Sequence, residues 1–85
     1  MKKHIKIYLK YFDYGEQDFI PSEVSGGRAA DIHHIIFRSH GGKDEIENLI
    51  ALTRAEHELA HNNPTYNEKL KEIHRNKIDA WKGNG

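Results

Sequence analysis

The chain has 85 residues, of which 31 % are charged and 36 % hydrophobic, with 13 acidic against 13 basic side chains and no cysteine. A chain of this length makes one small domain that buries only about 60 % of its unfolded surface, so a bound metal would add needed stability. The composition excludes disulfides and a thiolate zinc cluster, and no apolar run is long enough to span a membrane. Lys2, Lys3 and His4 are not followed by an apolar segment, so no signal peptide is expected and a cytoplasmic location is. Basic residues crowd both ends and acidic ones the stretches 13–23 and 44–58, a distribution that on charge alone reads as solubility. The unusual count is seven histidines.

In chain order, Ile5, Ile7 and Leu9 alternate with Lys6, Tyr8 and Lys10, a period of two that predicts an N-terminal strand. Asp13-Tyr14-Gly15 offers a turn, and residues 21–27 are irregular, ending in the Gly26-Gly27 pair. A second strand is expected within 29–36. A polar loop around Gly41-Gly42 follows, then a third short strand over 48–52. Thr53 with Glu56 three residues later forms a capping box, so a helix should begin at Arg54 and stop at Asn62-Asn63-Pro64. Leu70, Ile73, Ile78 and Trp81 predict a last helix over about 66–81, with its apolar stripe in the core, and a frayed tail from Gly83.

Four features converge on one region. His33 and His34 stand side by side near a strand end. His57 and His61 are four apart on the expected helix, so both rings leave from one face, as a two-ligand metal grip requires. Asn48 opens the strand leading into that helix, and the glycine-bearing loop between leaves room for a ligand. Each feature alone is weak, since a helical His pair is usually a solvated face and His34 between isoleucines reads more readily as a satisfied core histidine. Their order is what carries weight.

Asp31-Ile32-His33-His34-Ile35, Gly41-Gly42, Asn48-Leu49-Ile50-Ala51-Leu52 and His57-x-x-x-His61 together resemble the HNH endonuclease motif. The family includes colicin DNases, phage and restriction nucleases and mobile-intron endonucleases, and the resemblance runs from Ser22 to His61. It implies an α+β fold, a small ββα-metal core holding a single divalent ion, to which this chain adds an N-terminal strand and a C-terminal helix within one domain over 1–85. Many members also bind a structural zinc through two Cys-x-x-Cys pairs. Here the matching positions are Ser22, Ser25, Thr53 and Glu56, which cannot replace four thiolates, so that zinc is expected to be absent.

The resemblance implies metal ligation by His33, His57 and His61, with His61 the ligand that some metals would release, and a general base at His34. Hydrolysis of a phosphodiester then has a cation for the charged oxygens and an imidazole for the attacking water. Neighbouring strand residues point to opposite faces, so His33 and His34 can share a site only where the strand ends or twists. Asp31, on the His33 face, is read as a partner for that ring's second N–H or as an ordinary strand-edge carboxylate. Asn48 is expected to tie the loop down or to orient His34. Arg28, Arg38 and Arg54 are candidate phosphate contacts, Arg28 first. His40 reads as incidental, and His4 and His74 as surface residues.

The expected cofactor is one divalent ion, with Mg²⁺, Mn²⁺, Zn²⁺ and Ni²⁺ all open. The expected partner is DNA, with RNA open as a substrate, and the chain is read as a monomer or homodimer, alone or within a larger nucleic-acid-processing complex. Two other readings compete: a nucleic-acid-binding module with a structural metal, and a metal-stabilised interaction domain. His34 beside His33 separates them, because a structural site fills four ligand positions and has no use for a spare base.

Overall fold

A computed structural model of the protein describes residues 1–84. Three helices, α1 (Lys3–Tyr11), α2 (Arg54–Asn62) and α3 (Pro64–Asn84), surround a two-stranded antiparallel sheet of β1 (Asp31–His34) and β2 (Leu49–Leu52). Short 3₁₀ turns at Arg38–His40 and Ile46–Asn48 lie in the loop between the strands.

The N-terminal segment is a helix, not the expected strand. Ile5, Tyr8, Leu9 and Phe12 recur at the i, i+3, i+4, i+7 spacing of one helical face, and Tyr8, Leu9 and Phe12 are buried. The alternation of Ile5, Ile7 and Leu9 was too short to outweigh that face, and the lysines at 3, 6 and 10 remain exposed.

β1 pairs with β2 in the register Asp31↔Leu52, Ile32↔Ala51, His33↔Ile50 and His34↔Leu49. Partners across an antiparallel pair point to the same side, so the register sorts the side chains between two apolar layers. Leu49, Ala51 and Ile32 pack with Tyr8, Phe12 and Ile78 on the α1 side. Ile50 and Leu52 pack with Ile35, Ala60 and Leu70 on the other. That is why β2 is buried at all four positions and reads as an apolar run.

α2 begins where the capping box places it: Thr53 Oγ1 accepts from Glu56 N at 3.2 Å, and Glu56 Oε1 accepts from Thr53 N at 2.8 Å. The same carboxylate oxygen accepts from Ser22 Oγ at 2.5 Å, while Ser22 Oγ accepts from the amides of Val24 and Ser25. Burial alone would raise the Glu56 carboxyl, but hydrogen bonds from Ser22, Ser25 and Thr53 outweigh it and hold it below the usual range. A small polar cluster therefore ties the loop before β1 to the start of α2.

α3 starts two residues earlier than expected, with Pro64 at its first position and Asn63 Oδ1 accepting from Tyr66 N. It continues to Asn84, past the expected end of the helix at about residue 81; Gly85 lies outside the described residues. Leu70 and Ile78 face the core, while Trp81 stays 42 % exposed against the edge of Phe12. His74, expected on the surface, is fully buried. Its Nδ1 bonds Glu23, whose Oε2 also accepts from Tyr8 Oη at 2.6 Å, and its Nε2–H donates to the Ile46 carbonyl at 2.5 Å. Among the described residues no helix is long and apolar enough to cross a membrane.

Candidate active site

The register decides how the two adjacent histidines are used. His33, paired with Ile50, projects toward α2, and His34, paired with Leu49, projects toward α1. Because β1 ends at His34, both rings still line one open cleft together with Asp31, His57 and His61.

On the α2 side, ligand atoms of His33, His57 and His61 lie within 4.8 Å of one another. His57 Nδ1–H donates to Asp31 Oδ2 at 3.0 Å, which leaves Nε2 as the lone-pair nitrogen, 3.1 Å from His61 Nε2. Phe37 stacks on His61 at 4.7 Å between ring centroids and holds it over the cleft. His33 is buried, and its Nε2 contacts Asn67 Oδ1 at 2.8 Å. The Asn67 amide is oriented by donating Nδ2–H to the Ile35 carbonyl, so its oxygen must accept from His33 Nε2–H, and the lone pair falls on Nδ1. Burial pushes His33 down to about 4, with the Asn67 hydrogen bond opposing and His57 and His61 adding to the shift, so the ring is neutral at neutral pH.

This donor set fits a divalent metal. Metal–nitrogen distances near 2.0–2.1 Å put neighbouring ligand atoms about 2.9–3.4 Å apart, which the His57–His61 pair meets. The outer ring nitrogens of His33 and His57 are each fixed by an amide or a carboxylate, the arrangement that sets a ligating tautomer. Asp31 bonds His57, with Arg54 Nε at 3.4 Å, and not His33, which is one of the two readings the strand pattern allows. The partner of His33 is Asn67, 34 residues on, a pairing without local signal.

On the α1 side, His34 Nε2 bonds Asp44 Oδ1 at 2.7 Å, and the His4 ring packs against His34 at 4.7 Å. The hydrogen bond from His34, opposed by burial and aided by Arg38, holds the Asp44 carboxyl below its ordinary value. His4 is depressed by burial and by His34, so it is not the plain surface residue expected. Neither Asp44 nor His4 stood out in the sequence, and only the fold brings them to His34.

Asn48 ties the loop down and does not touch His34. Its Oδ1 accepts from Ile36 N at 2.7 Å, and its Nδ2 donates to the carbonyls of Ile36 and Lys43. Gly42 is required in the same loop, because a Cβ there would fall 1.7 Å from the Ile36 carbonyl oxygen. Of the three arginines, Arg38 lines the cleft, Arg54 leans on Asp31 and Arg28 lies over the Phe19 ring at 5.1 Å. The preference for Arg28 is not supported by its position. His40 stands in the loop beside Phe37.

Residues 17–63 match the family model described as HNH endonuclease, more than half of the chain. The chain is also 38 % identical over 56 residues to a protein named "Probable mobile endonuclease C" of Enterobacteria phage T4; the match spans 66 % of this chain and 26 % of that relative. No solved structure matches it. The chain belongs to the HNH endonuclease family, as a cysteine-free member with a ββα core formed by β1, β2 and α2.

Proposed function

We propose that the chain is a metal-dependent endonuclease that hydrolyses DNA phosphodiester bonds in the cleft at the end of β1. The observation that carries this is the division of labour across the strand: three imidazoles on one side, and a carboxylate-backed imidazole on the other, facing one cleft. His33, His57 and His61 would hold a divalent cation, which when bound neutralises a phosphate oxygen and stabilises the leaving oxygen.

His34 is the general base. With Nε2–H donated to Asp44, the lone pair sits on Nδ1, where it takes the proton of the attacking water. Asp44 fixes that tautomer and stabilises the imidazolium that forms, the role a carboxylate plays behind a catalytic histidine. Asn48 keeps the loop that carries Asp44 in place through Ile36 and Lys43. Arg38 at the rim is the arginine placed to meet a phosphate. The name of the phage relative supports a nuclease of mobile-element or phage origin, although this chain matches only a quarter of that protein.

A plasmid-nicking assay with Mg²⁺, Mn²⁺, Ni²⁺ or Zn²⁺ tests the reading. Wild type should convert supercoiled to nicked or linear DNA, and His34→Ala should lose at least about a hundredfold in rate, the lower range for removing a general base. Equal cleavage by His34→Ala would remove the base assignment, and no cleavage in any metal would remove the nuclease reading.

A further inference from the structure

We propose that His4, His34 and Asp44 form a second transition-metal site, separate from the His33–His57–His61 cluster, and that filling it with an ion such as Zn²⁺ switches the enzyme off. Ligand atoms of these three residues lie within 4.8 Å of one another, the same closeness that marks the first cluster. They come from three separate parts of the fold: the first turn of α1, the end of β1 and the loop before β2. His34 Nε2 and Asp44 Oδ1 are already 2.7 Å apart, close to the spacing of two ligands on one ion, and the His4 ring packs against His34 with centroids 4.7 Å apart.

Two imidazoles and one carboxylate suit Zn²⁺ and other transition metals. Three protein ligands leave positions for water, so the site would exchange its ion and would not serve as a closed structural centre. Arg38 Nη2 lies 3.7 Å from Asp44 Oδ2 as a competing cation, but its side chain is largely exposed.

The binding claim stands on the cluster alone; the inhibitory claim rests on His34 being the base, since a metal on Nε2 of the neutral ring puts its one proton on Nδ1 and so takes away the lone pair that would accept from water. Rising zinc would then suppress activity supported by Mg²⁺, giving the domain a metal-sensing brake built from its added N-terminal helix.

The test uses the full chain, stripped with chelator and titrated calorimetrically with ZnCl₂. Wild type should bind two equivalents, His4→Phe one, His57→Ala one, and the double variant none; phenylalanine keeps the ring packing on His34 but offers no donor. One equivalent in wild type, or two in His4→Phe, overturns the site. In Mg²⁺-supported plasmid nicking, the zinc concentration for half-inhibition should rise at least about tenfold in His4→Phe, the lower end of what losing even an outer-sphere partner costs a metal site. The same half-inhibition in both proteins overturns the brake. If nicking fails in every metal the nuclease reading falls, while the zinc stoichiometry still decides the site.

Discussion

Asn67 Oδ1 lies 2.8 Å from His33 Nε2, and this contact decides which nitrogen of a buried imidazole is free to bind metal. Asn67→Ala should release the ring and weaken the tighter metal equivalent about 10–100-fold, the usual loss when a ligand's outer partner is removed. Asn67→Asp keeps an acceptor in place and should restore most of the affinity. Titration with Ni²⁺ measures both; unchanged affinity in Asn67→Ala would show that His33 is held by packing alone.

The low position of His33, about 4, has a consequence for the metal-free protein. An unfolded histidine titrates near 6.5, so between these values the unfolded chain binds more protons than the folded one. Stability is therefore full above pH 6.5 and falls as pH drops toward 4, by about 3 kcal/mol at most. Urea midpoints measured in chelator across this window should decline, and His33→Phe should show a shallower decline. Parallel slopes for the two proteins would mean that other groups carry the pH dependence.

In the proposed mechanism Asp44 acts through His34, so its removal should change the rate while leaving substrate affinity nearly alone. Asp44→Asn is expected to lower kcat by about one to two orders of magnitude, up to the low end of what a general base itself contributes, with little change in KM. A rise in KM with kcat unchanged would recast Asp44 as a binding residue.

The parts of this site that were legible in the sequence are those whose partners lie nearby. The Thr53–Glu56 box and the His57–His61 spacing are helical-turn relations, and the structure keeps both. Asp44, His4 and Asn67 reach the histidines from remote segments by way of the β1–β2 register, and no local pattern announces them. The N-terminal helix was missed for a related reason. Its apolar face depends on Tyr8 and Phe12, which an alternation count treats as a polar position and an afterthought. His74 looks like one polar residue among several on α3, and its burial follows only from Glu23 arriving 51 residues earlier in the chain.

That buried contact should be costly to break. The side chains of Glu23 and His74 are each 1 % exposed, and the pair joins α3, the Ile46 carbonyl and, through Tyr8, helix α1. Glu23→Gln leaves His74 without its charged partner, and removing one member of a buried pair typically costs about 3–5 kcal/mol. For a domain of this size the melting temperature should fall by more than about 10 °C. A fall of under about 3 °C would mean that the pair is neutral and replaceable.

The Ser22–Glu56 cluster stands where many relatives carry a structural zinc, and it can be tested by putting the thiols back. Ser22 Oγ contacts the Glu56 carboxylate and collects the amides of Val24 and Ser25, so the loop before β1 and the start of α2 already meet. Replacing Ser22, Ser25, Thr53 and Glu56 together by cysteine removes the helix cap and the carboxylate bridge. The reduced, zinc-free variant should therefore lose about 1–2 kcal/mol at least, the cost of a lost cap. With zinc it should gain one tightly bound equivalent and recover stability beyond wild type, because binding energy at a thiolate centre becomes folding energy. Cobalt substitution reads the outcome directly, since four thiolates give intense charge-transfer and ligand-field bands that imidazole sites lack. Absence of those bands in a folded variant would show that the four positions do not converge in tetrahedral zinc geometry.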